Sequence, residues 1–329
     1  MQEENAGEKN KESFREWLNT QRSEDAYQQF LAEKKAEKEK AIQEKVDKGV
    51  AVYKDGVLYN PDMTVLLECC DNEKTSFIVP DTVRVIELNA FSYRSSLKEI
   101  IFNEGLEAIC EESFCDCTSL ESLSFPATLR NISFEAFEGC TSLKSITFKE
   151  GIEVINLSAF SGCNSLESVE LPSSLTYLGD NAFWGCSSLK KAVIHSNLTY
   201  INKNTFSNCS SMETLELPES LEQIFESAFE NCSSIKNLTI PENVYEIRKA
   251  VFQDCKSLVN LEIQSRKINI GKQAFKNCKA LEILQIDGRT IYFTEGFHFY
   301  TIDALKELVQ ANPEIIIAED AFEGVIYDY

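Results

Sequence analysis

Phe206 to Leu221 reads F-S-N-C-S-S-M-E-T-L-E-L-P-E-S-L, most of one 23-residue unit that recurs along the chain. Phenylalanine stands at 91, 114, 137, 160, 183, 206, 229, 252 and 275, and cysteine follows three places later at 117, 140, 163, 186, 209, 232, 255 and 278. The first unit alone departs, with Arg94 in the cysteine column. A fixed period of this size marks a solenoid, because one such unit cannot bury its apolar face without a neighbour.

Working outward from the phenylalanine, the columns assign themselves. Leu97, Ile100 and Phe102 and their equivalents (Leu120, Leu123, Phe125; Leu143, Ile146, Phe148; Leu166, Val169, Leu171) end in period-2 spacing, which predicts a short strand. Stacked coils make those strands a parallel sheet. Five of the seven prolines (Pro80, Pro126, Pro172, Pro218, Pro241) follow the strand, where a missing N–H ends the pairing at little cost. A second L-x-x-I, as in Leu129 to Ile132, leads into an alanine and the next phenylalanine, for instance Ala136-Phe137. The expected fold is an α/β-type repeat solenoid of 23-residue coils with parallel strands, preceded by an α-helical arm.

The flanks divide the chain into four parts. Residues 1–49 read as a charged helical arm, in which Phe14, Trp17 and Leu18, then Tyr27, Phe30 and Leu31, share the i, i+3, i+4 spacing of a helix face. Gly49 signals its end. Residues 50–76 read as an N-terminal cap, because Asp55-Gly56 lies between β-branched and aromatic runs and predicts a hairpin. Residues 77–288 form the solenoid. Residues 289–329 read as a C-terminal cap, with a short helix from Ile302 to Ala311 stopped by Asn312-Pro313 and a return to I-x-x-x-A-F at Ile317 to Phe322. His298 falls one place after Phe297, where the phenylalanine column would continue. Lys267 stands in a column otherwise aliphatic, so Ile268 is expected to shift inward.

Charge bounds the partners. The net charge is −21, and residues 1–50 carry 12 acids against 10 bases, so −19 resides beyond residue 50. Such a field repels phosphate backbones and anionic lipid, which argues against nucleic acid and favours a cationic protein surface. No apolar run approaches the roughly 20 residues of a membrane span. Met1 to Lys11 is acidic and polar rather than a signal peptide, which points to the cytoplasm; a cell-surface or secreted location would require a leader removed upstream. Eight of the twelve cysteines share one column, where parallel side-chain vectors disfavour the torsion of a disulfide, so free thiols are expected.

These residues, C-x-S-L-x-x-I-x-L-P-x-x-L-x-x-I-x-x-x-A-F, closely resemble the BspA-like class of leucine-rich repeat across residues 77–288 and part of the C-terminal cap. The chain lacks the regular asparagine column of commoner leucine-rich repeats and has instead fixed A-F and Cys positions. The resemblance implies a curved, right-handed leucine-rich-repeat superhelix and a role in protein binding or adhesion, usually without catalysis.

Catalytic and metal constellations are not expected. The two histidines fall in repeat columns, His195 where other coils place proline. Cys110, Cys115 and Cys117 have ligand-like spacing, yet Cys117 is accounted for by its column and no fourth ligand is near, so no metal and no cofactor is expected. Function therefore falls to the outward columns. At the first outward strand position the sequence runs Lys98, Glu121, Lys144, Glu167, Lys190, Glu213, Lys236, an alternation that opposes sliding by one coil. Apolar residues replace polar ones at Phe134 with Leu157, Tyr177 with Tyr200, and singly at Trp184 and Phe225, the candidate contacts for a protein partner. The expected function is a non-catalytic protein-interaction module, adhesive or scaffolding; the alternative is an oligomer built by self-association through residues 11–48, with a mainly structural solenoid.

Overall fold

The computed structural model describes residues 24–293 and 298–325. Phe14, Trp17 and Leu18 lie outside the described residues, as do the side chains of Tyr27, Phe30 and Leu31. Helix α1 spans Glu24–Asp47. Its C-terminus closes at Gly49, which has φ 66°. The Gly49 amide donates to Val46 O at 2.9 Å and the Val50 amide to Lys45 O at 3.1 Å, the paired bonds of a Schellman cap.

The chain then turns through Asp55-Gly56, both at positive φ, joining Val52–Lys54 to Val57–Tyr59 in the predicted hairpin. Val65–Cys69 pairs antiparallel with that hairpin and parallel with Val85–Ile86, so this strand converts a hairpin edge into the first rung of the array.

Each coil contributes two strands to two parallel sheets. The first sheet holds the predicted strands, from Ser76–Ile78 through Thr214–Glu216 and then from Asn237–Ile240 onward. Partners throughout its parallel rungs stand one period apart, as in Ser145 with Ser122 and Leu238 with Leu261. The second sheet uses two-residue strands such as Asn131–Ile132 and Val154–Ile155, formed by the second L-x-x-I, whose spacing alone suggests only an approach to the next turn.

The third edge of every coil is the phenylalanine turn. Nine consecutive rings from Phe91 to Phe275, and then Phe322, stack with centroids 4.9–5.5 Å apart and planes within 11°. Each of the eight column cysteines donates its thiol to the carbonyl of the phenylalanine one coil back, for example Cys209 to Phe183 O at 3.3 Å. All twelve cysteines are free. Arg94 replaces the first thiol by reaching back to Cys69 O, with Nε at 3.0 Å.

Two left-handed residues bend the chain sharply enough for this turn. The residue two before each phenylalanine from Phe91 to Phe275 has φ 50–58°, and the residue two after has φ 54–72°. The second position is Gly139, Gly162 and Gly185 in three coils and Asn or Asp in most others, the residue types that enter this region at least cost. A second aromatic file, Phe102, Phe125 and Phe148, runs beside the first with edge-on contacts such as Phe102 to Phe114 at 82°.

The sheets are interrupted where the turn is not. In the first sheet the Glu213 amide donates to Lys190 O at 2.8 Å and the Val259 amide to Lys236 O at 2.8 Å, but no such bond joins Lys236 to Glu213. In the second, Leu178 O accepts from the buried Asn202 side chain at 2.7 Å, where neighbouring coils supply a backbone amide. Both interruptions leave the Phe183, Phe206 and Phe229 stack intact.

Ile268 does shift inward and Lys267 is exposed. His298 does not continue the phenylalanine column: it is the first residue of helix α2, His298–Ala311, and Phe322 stacks on Phe275 in its place. The cause is an insertion. Asp287-Gly288 turns Ile283–Ile286 back into Arg289–Tyr292 as a second hairpin, α2 follows, and only then does Ile315–Ile317 pair with Ile268–Ile270, about two periods on rather than one.

Candidate protein-interaction surface

The six candidate residues fall on two sides of the coil. Tyr177 and Tyr200 point outward from second-sheet strands, one coil apart and on either side of that sheet's interruption. Phe225 follows the next strand, and its ring stacks on Tyr200 at 5.6 Å and 5°. The Arg248 guanidinium lies over the other face of Phe225, 4.0 Å from the centroid, and is held there by Glu246 at 3.2 Å and Glu226 at 3.7 Å. Tyr200, Phe225 and Arg248 thus form one half-exposed stack, with Tyr177, 36% exposed, beside it. Burial, then Asp180 and Tyr200, push the Tyr177 hydroxyl above its ordinary pKa.

Phe134 and Leu157 are column neighbours farther toward the N-terminal end, Phe134 exposed and Leu157 half-buried. Trp184 is separate: it follows Phe183 on the phenylalanine turn and does not join the tyrosines. Sequence reasoning missed Arg248, although it stands one period after Phe225, and missed the exposed pair Ile78 and Ile101, cross-strand partners on the first sheet. Below Ile101 a shallow groove of about 490 Å³ crosses Ser122, Ser124, Ser145 and Thr147, with the Glu104–Lys149 ion pair (2.7 Å) at its edge.

The charge alternation closes at two points, Lys144 to Glu121 at 3.4 Å and Lys190 to Glu167 at 3.3 Å. No ion pair joins Glu213 to Lys236, which straddle the first-sheet interruption. Exposed pairs of this kind contribute a few tenths of a kcal/mol each. Glu167→Lys places a positive charge between Lys144 and Lys190, so the melting temperature is expected to fall further in low salt than in high salt. Equal losses at both ionic strengths would remove electrostatics as the cause.

Cys117 is a buried donor to Phe91 O, and among the described residues no group of three His, Cys, Asp or Glu side chains could hold a metal. His195 is exposed and directly follows the Lys191–Ile194 strand, its amide donating to Leu171 O at 3.1 Å. On the phenylalanine-turn edge, burial first and then Glu135, Asp116 and Glu112 raise the pKa of Glu138, which marks that edge as acidic.

Two parallel sheets stacked on a fixed 23-residue coil define a leucine-rich-repeat solenoid. The profile of the BspA type leucine rich repeat region matches residues 67–190, 131–259 and 226–327, and the chain belongs to that family. A leucine-rich repeat protein from Eubacterium ventriosum is similar in crystal structure at 27% identity and a TM-score of 0.53, over 57% of this chain and 51% of that one, so the likeness spans about half of that protein. A leucine rich cell surface protein from Faecalibacterium prausnitzii matches at 20% identity over 73% of this chain and 86% of its own, with a TM-score of 0.36. The pneumococcal vaccine antigen PcpA matches at 17% identity over 82% of this chain and 99% of its own, with a TM-score of 0.37. No curated protein matches the chain. Among the described residues no helix is long and apolar enough to cross a membrane.

Proposed function

We propose that the solenoid is a non-catalytic scaffold that captures a protein partner on its second-sheet face. The observation that carries this reading is the half-exposed stack of Tyr200, Phe225 and Arg248 beside Tyr177. Tyrosine and arginine dominate the energy of protein interfaces, and here the rings are already held in place, so binding orders little. Phe134 and Leu157 extend the surface, and Trp184 offers a second contact on the adjoining edge. The acidic body favours a cationic partner. Catalysis has no support in the arrangement, since His195 is an exposed residue at a strand end and the column thiols are buried donors.

Twelve unpaired thiols suit a reducing compartment, which supports a cytoplasmic site of action. Labelling of intact cells with an impermeant amine reagent would mark the protein if it lay at the surface instead.

The test is comparative capture from the native cell by full-length chain and by a Tyr177→Ala, Tyr200→Ala pair. Loss of two such contacts is expected to weaken a specific partner by about 10- to 1,000-fold, at unchanged melting temperature. Equal capture by both proteins would move the interface elsewhere, with the first-sheet groove as the next face to alter.

A further inference from the structure

We propose that the groove at the C-terminal end of the solenoid receives the Phe14, Trp17 and Leu18 segment of a second copy of this chain, so that molecules associate head to tail. The groove encloses about 460 Å³ between α2 and the returning coil. Ile302, Leu305 and Val309 form one stripe of the helix, at spacings of three and four, and Ile317, Ala318 and Phe322 form the opposite wall. All but Phe322 are only half-buried, so these walls retain apolar surface that no described residue covers. A groove of this size and lining suits apolar side chains presented at i, i+3 and i+4. The sequence offers that spacing at Phe14, Trp17 and Leu18.

Charge selects the same pair of surfaces. Residues 302–325 carry six acids (Asp303, Glu307, Glu314, Glu319, Asp320, Glu323) against Lys306, a balance of −5. Residues 11–22 carry Lys11, Arg15 and Arg22 against Glu12 and Glu16, a balance of +1 in a chain whose total is −21. Glu314 and Glu323 are ion-paired to Lys267 and Lys276, which leaves Asp303, Glu307, Glu319 and Asp320 against Lys306 around the groove, a balance of −3 facing a locally cationic, aromatic segment.

Reach leaves the chain's own segment at full stretch. Helix α1 is tied to the opposite end of the solenoid, where Lys38 pairs with Glu68 at 2.8 Å. Ten stacking steps of about 4.8 Å separate that level from Phe322, roughly 50 Å. From Lys38 back to Glu24 the helix covers about 21 Å, and the residues between Glu24 and Trp17 add at most about 25 Å when fully extended. Together these lengths reach about 46 Å, so the chain's own segment meets its groove only if helix and extended residues are both aimed straight along the stack. In a second copy the groove can come to the arm. Because the two surfaces differ and lie at opposite ends, copies joined in line, head to tail, form an open array, whereas an antiparallel pair would exchange both arms and close at a dimer.

Sedimentation of the full chain over a concentration series tests this independently of any partner on the second sheet. The average mass is expected to climb past the dimer, and less so at high salt. A Phe14→Ala, Trp17→Ala arm variant and a Leu305→Glu, Val309→Glu groove variant are each expected to remain monomeric, while their mixture forms a one-to-one dimer and stops there, since only one arm and one groove remain competent. A melting curve of the groove variant checks its fold, and the arm variant, altered outside the solenoid, carries the test alone if that fold fails. A wild-type chain that stays monomeric, one that saturates at a dimer, or an arm variant that still associates would each overturn the proposal.

Discussion

Phe183→Ala is expected to destabilise the protein by about 3–5 kcal/mol. The ring is fully buried and stacks on Phe160 and Phe206, each at 5.4 Å, with planes within 7°. Truncation removes both stacking contacts and leaves a void between coils that are held at their spacing by the first-sheet pairings on either side. The position has a further consequence. Leu178 O already lacks a backbone donor, and Glu213 and Lys236 are unpaired across the first sheet, so the phenylalanine turn is the edge that carries regular backbone bonds through this part of the array. In a solenoid, stability is a sum of coil and nearest-neighbour terms, so weakening the continuous edge beside two sheet interruptions should divide the array into separately melting halves. Phe322→Ala, at the terminal coil with Phe275 and Phe293 as its ring neighbours, should cost less and should not divide the transition. Chemical denaturation followed by circular dichroism distinguishes the two; one cooperative transition for Phe183→Ala, shifted no more than that of Phe322→Ala, would defeat this account.

The solenoid was legible because its period is written in the columns that carry the packing. Phenylalanine, cysteine and the first strand each recur at the same interval, and the structure assigns each a distinct edge or layer. The second sheet was not legible, since a two-residue strand is too short to show alternation and L-x-x-I reads equally well as the approach to a turn. The C-terminal hairpin carried the same Asp-Gly signal as the N-terminal one, at Asp287-Gly288, but extrapolating the period assigned His298 to a column that had already been interrupted. The sheet interruptions have no counterpart in the period, because Tyr177 and Tyr200 keep their column spacing across one of them; the difference lies in the Asn202 side chain. Among the candidate contacts, Tyr200 and Phe225 belong to different columns and meet across them, a pairing that column reading does not reveal, whereas Arg248 follows Phe225 in the same column.

Raising the pH above about 9 is expected to unfold the array cooperatively, through the cysteine column. Burial holds the thiols of Cys117, Cys140, Cys163, Cys186, Cys209, Cys232 and Cys255 protonated, with Cys117 and Cys186 pushed up to about 12. Each also donates to a phenylalanine carbonyl, and a thiolate there would lose the bond and face the oxygen lone pairs. In the unfolded chain the same groups ionise near 8.5. Below that value both states hold the proton and the full stability is present. Above about 8.5 the unfolded state binds fewer protons than the native one, so stability falls as pH rises, a window that extends to about 12 for Cys117 and Cys186. One thiol costs about 1.4 kcal/mol per pH unit in this window, and seven acting together cost on the order of 10 kcal/mol per unit, comparable with the whole net stability of a typical domain. The midpoint in denaturant, measured in the presence of a reductant, should therefore drop steeply between pH 8.5 and 10.5. A Cys140→Ala, Cys186→Ala, Cys232→Ala variant, with its three changes in non-adjacent coils, should start lower at pH 7 from lost packing yet decline with a slope smaller by three protons. Identical slopes for the two proteins would show that the alkaline transition arises elsewhere, in groups such as Tyr59, whose hydroxyl is likewise pushed up to about 12 by burial.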